Sequence, residues 1–187
     1  MLKTAILVFF IIFMSNSKST EKEKIIFDFA STQTSGKWST INDVVMGGIS
    51  NSNFKINSDN TATFSGNVSL ENNGGFASVR TLPQDFNLDG FSGITIKVKG
   101  DGKKYKFRLR TDNNFDGISY EINFTSLKDE WSEYKFEFKE FVPIFRGRIL
   151  KNVPALNSEE IKQIGFLISN KQEGKFYLII DWIKAHQ

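Results

Sequence analysis

Along much of the chain, apolar and polar residues alternate one by one. Ile94, Ile96 and Val98 alternate with Thr95, Lys97 and Lys99. Tyr105, Phe107 and Leu109 alternate with Lys104, Lys106, Arg108 and Arg110. Tyr120, Ile122 and Phe124 alternate with Glu121 and Asn123, and Tyr134, Phe136 and Phe138 with Lys135, Glu137 and Lys139. Period two places one side of a strand in a core and the other toward water, the pattern of antiparallel half-buried strands. Turn signals separate the runs: "NNGG" at 72–75, "LDGFSG" at 88–93, "GDGK" at 100–103 and "DNNFDG" at 112–117. "GKFYLIIDWI" (174–183) is apolar on both faces and predicts a central strand. "NSEEIKQ" (157–163) is the one helix-like segment, a single turn with Ser158 as its cap. No internal repeat or second domain is visible. The pattern predicts an all-β, two-sheet antiparallel sandwich, a jelly roll.

Composition supports a real core. The chain has 187 residues, 40% of them hydrophobic, with 19 phenylalanines and no cysteine. Aromatic side chains bury large areas and favour strands, so stability is expected from the core alone, without disulfides. The front differs. Lys3 precedes an unbroken apolar run from Ala5 to Met14, about half the roughly twenty residues that span a bilayer. Small residues Ser15 and Ser17 follow. This reads as an export signal over 1–17, a polar linker over 18–24 and one domain over 25–187, with no membrane span once the signal is removed. With no cysteine after the run, a bacterial lipoprotein anchor is excluded.

Charge and residue inventory exclude several chemistries. A formal net charge of +3 is too mild to imply nucleic-acid binding. The single histidine, His186, adjoins the C-terminus, where ends usually fray, so Ser–His, Cys–His and zinc sites are not expected. "GDGKKY" lacks phosphate-loop spacing, and no calcium-loop pattern is present. No cofactor and no metal are expected. A carboxylate pair drawn from Asp43, Asp112, Asp116 and Glu121 could serve a glycosidase. Asp112 and Asp116, however, suit turn capping, and Glu121 reads as the solvent partner of an alternating strand. The basic row Lys103, Lys104, Lys106, Arg108 and Arg110 reads as a solvated sheet face. Arg80, Arg146 and Arg148, near turns, are better candidates for specific ion pairing or anion contact.

Two glycine-rich stretches stand apart. "WSTINDVVMGGIS" (38–50) and "TFSGNVSLENNGGFASVR" (63–80) form a specific combination that resembles the family of complex I intermediate-associated protein 30. The resemblance continues through "GDGKKYKFRLR" (100–110), Trp131, "FVPIFRGR" (141–148) and "IGFLISNKQEGKFYLIIDWIKA" (164–185). It covers nearly all of the chain after the apolar run. It implies a galactose-binding-like β-sandwich and a non-catalytic assembly factor, since mitochondrial members help build the membrane arm of NADH:ubiquinone oxidoreductase. The leader is neither arginine-rich nor amphipathic, so the chain looks like an exported bacterial member, periplasmic or extracellular.

Both glycine motifs admit two readings. In the first, Val44 and Met46 plug one end of the sandwich, Gly47 and Gly48 allow a sharp turn or close approach, and Asn42 and Asp43 tie the loop to Asn73-Gly74-Gly75-Phe76 through backbone N–H groups. In the second, the loops form a ligand or client site. Asn42, Asp43, Asn73 and Arg80 are then its polar groups, and Trp38 and Phe76 its platforms. The function the resemblance implies is a protein-binding module whose client is a membrane subunit of a respiratory complex. The alternative is an exported carbohydrate-binding module, and a two-carboxylate hydrolase is a distant third. An exposed aromatic row would favour sugar; a broad apolar patch would favour a protein client.

Overall fold

The computed structural model describes residues 22–30 and 37–187. The expected signal, 1–17, lies outside the described residues. Two antiparallel sheets pack face to face. One has six strands in the order β3 (Asn51–Ile56), β4 (Ala62–Val68), β13 (Gly174–His186), β6 (Gly93–Gly100) and β9 (Trp131–Glu137), with β1 (Glu23–Phe27) also pairing with β13. The other has seven, in the order β11 (Arg148–Ile149), β10 (Val142–Phe145), β8 (Ser119–Thr125), β7 (Lys104–Arg110), β12 (Gln163–Ile168), β5 (Ala77–Thr81) and β2 (Trp38–Asn42). The all-β sandwich is as expected. β13 is central, flanked by β4 on one side and β6 on the other.

The alternating residues fill the space between the sheets. Ile94, Ile96, Val98, Tyr105, Phe107, Leu109 and Phe166 are essentially inaccessible. Phe107 is the hub. Its ring lies 5.2 Å from that of Phe166 and 5.7 Å from that of Phe136, so it joins both sheets. Removing such a ring leaves a cavity that costs about 3–5 kcal/mol. A second aromatic group closes one side, where Trp38 stacks on Phe54 at 4.6 Å and contacts Phe27 and Phe29.

Several local expectations change. β9 ends at Glu137, and Phe138 opens a 3-10 turn, Phe138–Glu140, while staying buried. The turn at Ser158–Glu160 is capped by Asn157, whose side-chain oxygen accepts from the Glu159 N–H; Ser158 is already inside the turn. His186 does not fray. It pairs with Gly93 within the sheet, is 2% exposed, and its ring meets Thr95 Oγ1 at 3.0 Å. Strand pairing on both sides anchors this end.

Candidate binding cleft

The first glycine motif folds around a carboxylate. After β2 the chain makes a 3-10 turn, Asp43–Met46, and Asp43 points inward, 1% exposed. Its Oδ1 accepts from the Ser50 N–H at 2.9 Å. Its Oδ2 accepts from the Ser50 hydroxyl at 2.5 Å and from the N–H groups of Gly75 at 2.6 Å and Phe76 at 3.2 Å. One buried carboxylate thus ties both glycine motifs together. Burial alone would raise its pKa, but these four donors outweigh burial and hold it below the usual 3.8.

The paired glycines divide the work. Gly47 (φ 90°) and Gly75 (φ 130°) adopt backbone angles that side chains disfavour. Gly48 and Gly74 give the carboxylate room. A Cβ on Gly48 would sit 2.4 Å from Asp43 Cγ, and one on Gly74 would sit 2.6 Å from Oδ2. The expectation that Val44 and Met46 plug the sandwich is overturned. Because Asp43 takes the inward position, the turn presents Val44, Val45 and Met46 outward, at 62%, 64% and 73% exposure.

Val45 and Met46 stand at the edge of a cleft of about 640 Å³ on the outer face of the seven-stranded sheet. Its floor follows from strand register. Across the sheet, Ser39, Arg80, Gly165, Arg108, Glu121 and Val142 are successive neighbours. The adjacent row runs Ile41, Ser78, Leu167, Lys106, and Gln163 pairs with Arg110 on the other side. Phe115 and Arg146, from loops, also line the cleft. Gly165 leaves the middle of the floor bare. A Cβ there would meet the Val79 carbonyl oxygen at 2.5 Å.

The cleft is basic. Arg80, Lys106, Arg108, Arg110 and Arg146 line it against Asp116 and Glu121, five cations to two carboxylates. Glu121 is 4% exposed and lies 2.8 Å from Arg108 Nε and 3.4 Å from Lys106 Nζ. It also accepts from the Ser119 hydroxyl. Asp116 accepts from Arg146 through both Nε and Nη2. Arg80 and Arg110 donate to carbonyls instead, Arg80 to Phe115 at 2.7 Å and Arg110 to Gly117 at 2.9 Å. Arg80 also lies over the Phe115 ring, 4.9 Å from its centroid. Burial, then repulsion by Arg108 and Arg80, lowers the Arg110 pKa to about 10. Arg80 is lowered as well, by burial and then Arg108.

The six residues expected to bind a ligand therefore scatter. Phe76 and Arg80 line the cleft. Asp43 braces the loops from inside. Asn42 is half-buried and accepts from the Ser52 hydroxyl at 2.6 Å. Trp38 belongs to the aromatic cluster under β2. Asn73 sits exposed on the turn Glu71–Asn73 at φ 59°. Two sequence readings are corrected. Glu121 is buried beneath two cations and is not a solvent partner. Arg110, 8% exposed, is part of a cleft floor and not of a solvated face. Alternation shows which way a side chain points, but not that loops rise around that face. Among the described residues no group of three His, Asp or Glu is placed to hold a metal, and no helix is long and apolar enough to cross a membrane.

The family profile of Complex I intermediate-associated protein 30 matches residues 27–180. The chain belongs to this family. It is 27% identical to the mitochondrial mouse protein of that name over 184 residues, 87% of this chain and 56% of the mouse protein. The Drosophila melanogaster protein is 24% identical, with 85% and 61% covered. An uncharacterized Schizosaccharomyces pombe protein is 30% identical, with 78% and 75% covered. The chain thus spans under two thirds of the mouse and fly relatives. Among solved structures, the family 11 carbohydrate-binding module of the Clostridium thermocellum cellulase Lic26A-Cel5E superposes with a TM-score of 0.66 at 16% identity, covering 89% of this chain and 95% of the module. The same module bound to a β-1,3-1,4-mixed-linked tetrasaccharide gives 0.65 at 17% identity, with 87% and 94% covered. The fold is the expected galactose-binding-like sandwich. The expected location is corrected: the named relatives are mitochondrial proteins of animals and a fungus, not exported bacterial ones. A lysine before an apolar run signals hydrophobicity and carries no family address.

Proposed function

We propose that this member of the Complex I intermediate-associated protein 30 family is a non-catalytic protein-binding module. It acts as an assembly factor for complex I and holds a client polypeptide in the cleft of the seven-stranded sheet. The observation that carries this reading is the Asp43-braced turn, which displays Val44, Val45 and Met46 beside the cleft. Adjacent exposed apolar residues held by a rigid brace are the mark of an interaction surface. Across the cleft, Phe115 adds a second apolar contact, 67% exposed. Both carboxylates lining the cleft are engaged as ion-pair partners, which suits scaffolding more than acid–base chemistry. The likeness to carbohydrate-binding modules establishes the fold alone. The aromatic residues lining the cleft are Phe76, Phe115 and the buried Phe166, and Phe115 alone is largely exposed, so sugar stacking finds one ring and not a row.

A photo-crosslinking residue at Met46 tests the reading in cells that carry the protein. Expected are adducts with complex I membrane-arm subunits, lost when Val44, Val45 and Met46 are all changed to serine. Those positions are exposed, so the triple variant should keep its unfolding midpoint within about 0.5 kcal/mol per site. Absence of membrane-arm adducts, with retention of the protein on mixed-linkage glucan, would overturn the reading in favour of a carbohydrate module.

A further inference from the structure

Resting on the protein-binding reading, the geometry points to a carboxylate site in the cleft: Arg80 and Arg110 receive an Asp or Glu side chain of the client segment, and Gln163 accepts from its backbone. Three observations carry this. First, the cations outnumber their partners. Glu121 is claimed by Arg108 and Lys106, and Asp116 by Arg146. Arg80 and Arg110 donate to neutral carbonyls. Burial and then the neighbouring guanidinium groups lower both pKa values, Asp112 and Asp116 offset this only in part, and an incoming anion relieves what remains. Second, there is room: Arg80, Arg110 and Gln163 line one and the same cleft of about 640 Å³. Planar guanidinium groups match a carboxylate by paired N–H donors.

Third, the site offers an acceptor beside its donors. Gln163 is 2% exposed, pairs with Arg110 across the strands and lines the cleft. Its Nε2 donates to the carbonyls of Asp112 and Asn114, while its buried Oε1 has no partner. A buried acceptor left unpaired costs about 1–3 kcal/mol, so a donor from the ligand is called for. A peptide supplies both complements, a side-chain carboxylate and a backbone N–H. A phosphate supplies only the anion, and a neutral sugar only hydroxyls. The apolar edge formed by Val45, Met46 and Phe115 then suits the flanking side chains. The partner class is an acidic, apolar polypeptide segment.

Fluorescence anisotropy of the purified protein decides the matter, with a labelled peptide of alternating leucine and glutamate and its leucine–glutamine counterpart. The glutamate peptide should bind about tenfold tighter or better, as charged hydrogen bonds predict. Added salt should narrow the difference. Arg80→Gln should bring the two affinities together while leaving the fold intact by circular dichroism. Because Arg110 is buried, its role is read without substitution, from movement of the Arg80 and Arg110 Nε–Hε resonances of the wild type on peptide addition. Equal binding of the two peptides overturns the carboxylate site but leaves the protein-binding reading standing. Failure of both peptides, with inorganic polyphosphate or the mixed-linkage tetrasaccharide moving the same resonances, overturns both.

Discussion

At the scale of single residues, Asp43 answers the oddity of a carboxylate followed by three apolar residues and two glycines. It accepts from three backbone N–H groups and a hydroxyl drawn from two loops. Asp43→Asn replaces an acceptor oxygen with a donor and strands at least one buried N–H, at about 1–3 kcal/mol for each. The pH dependence has a definite sign. The folded pKa lies below the ordinary 3.8, so the contribution is complete above that value and disappears as pH falls through the folded one. The urea midpoint of the variant should therefore trail the wild type at neutral pH, with the gap closing in strong acid. A gap that persists unchanged in acid would show that Asp43 acts by shape and not by charge. The glycines give a companion test. Gly48→Ala drives a methyl group into Asp43 Cγ, whereas Gly47→Ala meets open space and bears only its backbone strain. Thermal unfolding should show Gly48→Ala as the more damaging, by about 1–3 kcal/mol, against about 1 kcal/mol for Gly47→Ala.

At the scale of elements, β6, β7, β8 and β9 could be read directly from their alternation, because large apolar residues alternate with polar or charged ones, and β13 from a run apolar on both faces. β3 and β2 could not. "NSNFKI" and "WSTIN" are half-exposed edge strands whose contrast between faces is weak. The cleft itself was invisible for another reason. Its floor is assembled by register from β5, β12 and the consecutive pair β7 and β8, so residues from three separate parts of the sequence meet there. Lys106, Arg108 and Arg110 were identifiable as outward-facing on β7; what stands opposite them was not. Glu121 is the residue most misjudged by alternation, and it carries a prediction. Glu121→Gln leaves Arg108 and Lys106 side by side without their counter-ion. Breaking a buried pair costs about 3–5 kcal/mol, and the partial exposure of both cations puts this case toward the lower end. Chemical denaturation measures it. A variant as stable as the wild type would show that cleft water already solvates these cations.

At the scale of the whole molecule, stability and binding pull against each other. The sandwich rests on an apolar core without disulfides, while one of its faces gathers five cations around two carboxylates. Like charges held this close oppose folding, and a ligand that pairs with them relieves that opposition. The consequence is a salt response opposite to that of a protein held by surface ion pairs. Raising ionic strength from low to physiological shortens the screening length from about 30 Å to about 8 Å, which weakens the mutual repulsion of Arg80, Arg108 and Arg110. Close pairs such as Glu121 with Arg108, largely shielded from solvent, are screened less. The melting temperature should therefore rise with added sodium chloride. It should rise further with citrate at equal ionic strength, because a multivalent carboxylate can occupy the cleft as well as screen it. Scanning calorimetry distinguishes the two effects, since only occupancy saturates with citrate concentration. A melting temperature that falls with salt would mean that attractive pairs, and not the uncompensated cations, dominate the electrostatics of the fold.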